Sequence, residues 1–127
     1  MPHPYQVAVS EDDRRAESAR VRQKHRGLLP VIVSLRERAE DSSAGSGAAP
    51  DLTKCKFMVA PSLTFAHFRA FVRAKVRGLR AHESLFAFVG NRHALPAMSQ
   101  PMALVYNEHH DDDGFLYVTC AKENTFG

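Results

Sequence analysis

Seven histidines, two cysteines and fourteen carboxylates give this 127-residue chain most of the side chains that catalysis uses, so spacing decides whether any of them could act together. Cys55 and Cys120 each sit in an alternating apolar stretch that reads as a strand, where reduced cysteines serve as small core residues. A nucleophilic cysteine needs a histidine and an orienting carboxyl, and no local signature selects such a partner. His109-His110 followed by Asp111-Asp112-Asp113 has neither zinc-ligand spacing nor the alternating acids of a calcium loop, and reads as a solvated acidic turn. No Gly-rich phosphate loop, serine nucleophile elbow or zincin helix occurs, so nothing asks for a cofactor or a metal and the chain reads as a non-enzyme.

Charge narrows the partners without choosing one. The formal net charge is only +3, yet residues 54 to 80 hold seven Lys or Arg and no acid, whereas residues 107 to 113 hold four acids and no Lys or Arg. A basic face of this kind attracts acidic peptides, anionic membranes or nucleic acid. No run of eighteen apolar residues exists, and Met1-Pro2-His3-Pro4-Tyr5 lacks the plan of a signal peptide, which points to the cytosol or nucleus.

The elements that must position these groups can be read in order. Residues 11 to 26 place acids first and bases last, matching a helix dipole, with little apolar content beyond Ala16, Ala19 and Val21; this predicts a solvent-facing helix ended by Gly27. Residues 28 to 35 read as a buried strand with Pro30 near its start. Residues 39 to 50 are small, polar and aperiodic, which predicts a flexible loop. A second strand is expected at 54 to 60, its alternation putting Lys54, Lys56 and Met58 on one face and Cys55, Phe57 and Val59 on the other. After Pro61, Ser62 or Thr64 can cap a helix carrying Phe68, Phe71, Val72, Val76 and Leu79 at helical spacing. A strand at 84 to 89, a turn at Gly90-Asn91, a further short strand, a helix within 98 to 109, an Asp112-Asp113-Gly114 turn and a last strand from Phe115 to Cys120 complete the order. Such an order suits an α+β layer of helices on a mixed sheet, and suggests a β-grasp.

The closing stretch Asp113-Gly114-Phe115-Leu116-Tyr117-Val118-Thr119 and Glu123-Asn124-Thr125-Phe126-Gly127 resembles the C-terminus of the autophagy ubiquitin-like modifiers, the family of the microtubule-associated light chains and the GABA-receptor-associated protein. Four more blocks look similar in the same order: Arg14-Arg15 with Glu17 and Val21-Arg22-Gln23-Lys24; Pro30-Val31-Ile32-Val33; Lys54-Cys55-Lys56-Phe57-Met58-Val59; and Tyr106-Asn107-Glu108-His109. Glu11, Leu28 and Ser34 depart from the pattern, as do the displaced Pro61 and the enlarged 39 to 50 loop.

The resemblance implies an α+β fold, a ubiquitin-like β-grasp with two additional N-terminal helices. Residues 1-26 would form a helical extension packed on the core, and 27-127 the ubiquitin-like domain with its flexible loop and a tail ending at Gly127. It implies that Gly127 is joined to phosphatidylethanolamine by activating and conjugating enzymes and released by a cysteine protease, which places the chain in the cytoplasm and, once lipidated, on the autophagosome membrane. Members of that family are usually made with extra residues beyond this glycine, which a dedicated cysteine protease removes. The resemblance further implies capture of receptors carrying aromatic-x-x-aliphatic motifs, added as a strand beside the second strand. Glu17, Val21, Pro30, Ile32, Lys56, Met58 and Phe115 match the positions lining an aromatic pocket, and Phe57, Val59, Pro61, Leu63, Phe68 and Phe71 those of an aliphatic pocket. Lys54, Lys56 and Lys75 would attract flanking acids. Val59, Leu63 and Phe68 must be buried whatever the function, so Val21, Lys56 and Met58 are the residues expected to select the ligand. The competing reading is an unconjugated adaptor of the same fold, binding peptides or tubulin through its basic face; nucleic acid is the less expected partner.

Overall fold

A computed structural model describes residues 3–36, 56–76 and 84–121. Expectations for the 39 to 50 loop, Lys54, Cys55, Leu79 and Gly127 lie outside the described residues.

The order is α1 (Pro4–Ala8), α2 (Glu11–Lys24), β1 (Leu29–Arg36), β2 (Lys56–Val59), α3 (Phe65–Lys75), β3 (Phe86–Val89), α4 (Met102–His109) and β4 (Leu116–Ala121). Each helix start has a local cause. Pro4 fixes the backbone of the first turn of α1 while the His3 ring accepts the Tyr5 amide and the Gln6 side chain accepts the His3 amide. Ser10 caps α2 by accepting from the Asp13 amide at 3.2 Å, with three acids in its first turn and Arg22 and Lys24 in its last. Thr64, rather than Ser62, caps α3 by accepting from the His67 amide. Gly27 turns the chain out of α2 at a φ of 86°, a backbone region that side chains disfavour.

The four strands form one mixed sheet in the order β2-β1-β4-β3. β1 pairs antiparallel with β2, and parallel with β4 from Val31 opposite Leu116 to Arg36 opposite Ala121. β4, the last strand, thus lies inside the sheet, and β2 is an edge. The parallel pair requires a long crossover, which β2, α3, β3 and α4 supply. The short strand expected after Gly90-Asn91 reduces to an isolated bridge between Val89 and Ala94, because the tight turn at residues 90 to 93 returns the chain for one residue only.

Strand alternation divides the apolar residues between two faces. On one, Val31, Val33, Leu116, Val118, Cys120, Ala87, Val89 and Val59 meet Phe65, Phe68 and Val72 of α3 and Met102 and Val105 of α4. On the other, Ile32, Tyr117 and the neighbouring Phe115 are covered by Tyr5 of α1, with Val9 and Val21 at the margin. Burial pushes the Cys120 thiol up to about 12, so it stays protonated and unreactive, as its strand position suggested.

The acidic turn is the clearest departure from expectation. Asp113 is not solvated: its side chain has 0% exposure and pairs with Arg14 at 2.9 Å. It also accepts hydrogen bonds from the Tyr117 hydroxyl and the Phe115 amide, while its backbone carbonyl accepts from Ser18 of α2. Arg15 donates to the Asp112 carbonyl at 3.0 Å. The turn is the latch that holds α2 against the end of the sheet.

Candidate functional site

An edge strand leaves one row of backbone amides and carbonyls without a partner, a ready template for an added strand. β2 is such a strand, and its register with β1 sets which side chains flank that row. Lys56 stands opposite Ile32 and Met58 opposite Pro30, on the face that carries α1 and α2; Phe57 stands opposite Val31 and Val59 opposite Leu29, on the face that carries α3. The alternation read from residues 54 to 60 therefore holds over its described part.

On the first face, the residues expected to line an aromatic pocket gather around the α2–β2 boundary. Lys56 reaches Glu17 at 3.5 Å and places its Nζ 5.3 Å from the centre of the Tyr5 ring. Glu17 is also bonded by Arg20 at 2.7 Å, and chiefly that hydrogen bond, helped by Lys56, lowers its pKa and keeps it ionised. Ile32 and Phe115 are fully packed, Pro30 is buried, and Val21, Lys56 and Met58 are half-buried. Of this set, Val21, Lys56 and Met58 are the members that keep accessible surface beside the edge strand.

On the second face, Val59 and Phe68 belong to the core. Leu63 and Phe57 are partly buried against that core, Pro61 is half-buried, and Phe71 is 46% exposed. Phe57 meets Phe71 edge-on with centres 5.6 Å apart, and the Lys75 Nζ lies over the Phe71 ring, 5.0 Å from its centre. This is an apolar ledge with a cation at its margin. The two sets stand on opposite faces of the same edge strand, as alternation requires.

Tyr5 is the member that reading the sequence missed. It is 3% exposed and packs edge-on against Phe115 with centres 5.7 Å apart, beneath the same cluster as Val21 and Ile32. The signal was Pro4 in front of it, a helix-start residue in a segment too short to show periodicity. Glu11 forms an exposed ion pair with Arg15 at 2.8 Å. Among the described residues no group of three or more His, Cys, Asp or Glu is placed to hold a metal ion, and no helix is long and apolar enough to cross a membrane.

Comparison with known proteins agrees with this geometry. Residues 13–127 match the family model for the autophagy protein Atg8, described as ubiquitin-like. The chain is 37% identical to autophagy-related protein 8a of Arabidopsis thaliana over 123 residues, covering 97% of this chain and 92% of that one. It is 41% identical to autophagy-related protein 8b of the same plant over 114 residues, 90% and 84% of the two chains. The crystal structure of Trypanosoma brucei ATG8 superposes over the full length of both chains, with a TM-score of 0.77 and 31% identity. Plasmodium falciparum Atg8, solved in complex with a peptide of Plasmodium falciparum Atg3, shares the fold with a TM-score of 0.72 at 24% identity, covering 97% of this chain and 98% of that one. With its mixed sheet, its two N-terminal helices and a family match running from α2 to Gly127, the chain belongs to the Atg8 family of ubiquitin-like autophagy proteins.

Proposed function

We propose that this protein is a modifier without catalytic activity of its own, joined through Gly127 to phosphatidylethanolamine on autophagosomal membranes. There it would recruit receptors whose aromatic-x-x-aliphatic motifs add a strand to β2. The observation that carries the recruiting half is the edge position of β2 with Val21, Lys56 and Met58 accessible on one side and Phe57, Leu63 and Phe71 on the other. An extended peptide would gain backbone hydrogen bonds from the strand and seat its alternate side chains on the two faces. Acidic residues beside the motif would meet Lys56 and Lys75, and Met58 can adapt its shape to an indole. Support for conjugation comes from membership of the family and from the Plasmodium relative, which was captured with an Atg3 peptide. Conjugation itself needs activation of the carboxylate, attack by a thiolate and transfer to an amine, and a terminal glycine offers the least hindrance to each.

Two measurements test the two halves. In a titration with a Trp-x-x-Leu peptide, Met58→Ala and Lys56→Glu should each lower affinity at least tenfold with the melting temperature little changed, since the Lys56–Glu17 pair is partly exposed and contributes little stability. An unchanged affinity would remove the assignment. Mass measurement of the C-terminal peptide from starved cells should find phosphatidylethanolamine on Gly127; a carboxylate that stays free while the conjugation enzymes are active would favour the adaptor reading instead.

A further inference from the structure

One concavity among the described residues meets the residues assigned to the β2 surface only at Pro30 and Pro61. It is an open groove of about 520 Å³ where the C-terminal half of α2 faces the start of β1 and α4, with Arg22, Arg26, Leu28, Pro30, Pro61 and Tyr106 among its lining. Glu17, Val21 and Lys24 recur at helical spacing on the flank of α2 turned to β2, whereas Ala19 and Arg22 lie on another flank and Arg26 follows in the turn after the helix. Ser18 lies between the two and is buried on the β4 turn. The groove is rigidly framed: the Tyr106 hydroxyl donates to the Gly114 carbonyl, and α2 sits so close that a Cβ on Gly114 would stand 2.6 Å from the Ser18 hydroxyl.

Its charge is one-sided. No carboxylate lines it, and neither Arg22 nor Arg26 makes an ion pair among the described residues. The nearby acids are engaged elsewhere, Glu17 with Arg20 and Lys56, and Glu108 with His109 at 3.7 Å. A cation in the last turn of α2 complements the helix dipole, but the dipole does not account for a concavity also lined by Leu28, Leu29, Pro30 and Pro61. Unpaired guanidinium groups beside an apolar lining match a carboxylate next to an aliphatic side chain, because the fork of Arg binds carboxylates in bidentate fashion and the lining removes apolar surface from water. A flat lipid surface would meet the arginines but could not fill the concavity.

We infer that this groove is a second peptide-docking site, taking a short acidic segment with an embedded aliphatic residue and selecting it through Arg22 and Arg26, which the motif surface on β2 does not use. The inference does not rest on the motif reading, and one experiment separates the two. The full-length chain, labelled with ¹⁵N, is titrated with the capped peptide Asp-Glu-Leu-Asp-Leu, then with a Trp-x-x-Leu peptide, then with phosphatidylserine vesicles. Saturable shifts from the first peptide at Gly27, Leu28 and Leu29 are expected. Affinity should fall at least tenfold in Arg22→Glu/Arg26→Glu and less in Arg22→Gln/Arg26→Gln, a loss of about 1.4 kcal/mol per tenfold. Both arginines are exposed, so the melting temperature should hold. Trp-x-x-Leu affinity should change less than twofold in the same variants. Acidic-peptide shifts confined to Lys56–Val59, an affinity indifferent to the charge reversals, or shifts at the groove caused by vesicles and not by the peptide would each overturn the proposal. Failure of the Trp-x-x-Leu peptide to bind the unaltered chain would count against the β2 surface alone.

Discussion

Asp113 shows how one side chain can decide the placement of a whole element. Its carboxylate is removed from water and answers Arg14, Tyr117 and the Phe115 amide at once. The partners compensate the desolvation of the charge, and burial together with the Asp113 hydrogen bond drives the Tyr117 hydroxyl pKa well above the ordinary phenol range. Asp113→Asn keeps the shape and can still accept from the Phe115 amide, but it leaves Arg14 without a counter-charge beside a buried amide. Removing one partner of a buried pair costs about 3 kcal/mol or more, so the urea midpoint should fall clearly. A change below about 1 kcal/mol would mean that the pair is solvated in solution. Nothing in the run Asp111-Asp112-Asp113 told the third acid from its neighbours. Burial here is decided by Arg14, ninety-nine positions away, and no local pattern carries that information.

At the scale of elements, what was legible followed from periodicity and what was not followed from shortness. α3 was readable because Phe68 and Val72 recur at helical spacing behind a Thr64 cap, and β2 because its alternation puts Lys56 and Met58 opposite Phe57 and Val59. The division of the β2 side chains between two faces was therefore readable as well. α1 was not, since five residues cannot display a period, and its hold on the sheet comes from contacts made at a distance. Tyr5 packs on Phe115, Gln6 donates to Asp111 at 3.3 Å, and the His3 ring lies 4.9 Å from that of Tyr117. Burial pushes the His3 imidazole down to about 4, with the Val118 backbone acting against it, and its Nε2 has no hydrogen-bond partner. The packed α1 thus requires a neutral ring. Above the ordinary imidazole value of about 6.5 both the packed and the released forms are neutral and the packing is at full strength. As the pH falls from there toward about 4, the released form binds a proton that the packed form refuses, so stability is lost across that window, by up to about 3 kcal/mol in all. The His3 ring proton signal should titrate near pH 4, and exchange protection of the Tyr5 and Val7 amides should weaken below pH 6. His3→Gln should abolish that dependence; an imidazole that titrates near 6.5 in the folded chain would contradict the packing of α1.

At the scale of the molecule, the sheet sets how the proposed attachment and the proposed recognition would relate. β1 and β4 run parallel and in register, so Ala121 lies level with Arg36, while Met58 lies level with Pro30. Six residues of strand separate those levels, about 20 Å at the usual rise per residue. The chain therefore leaves β4 at the end of the sheet remote from Met58, and the six residues that follow can carry Gly127 a further 20 Å or so at full extension. Under the proposed function, a surface joined to Gly127 would have room to stand clear of the β2 edge, and a receptor would add its strand without displacing it. Coupling the C-terminal carboxyl to the phosphatidylethanolamine amine in a nanodisc should thus leave the affinity for a Trp-x-x-Leu peptide within about threefold of the free chain, a change of less than 1 kcal/mol. Gly127→Pro should block enzymatic coupling and leave peptide affinity intact, and Met58→Ala should do the reverse. A tenfold or greater loss of affinity on the nanodisc would mean that the bilayer covers the β2 edge, so that attachment and recognition compete for one surface.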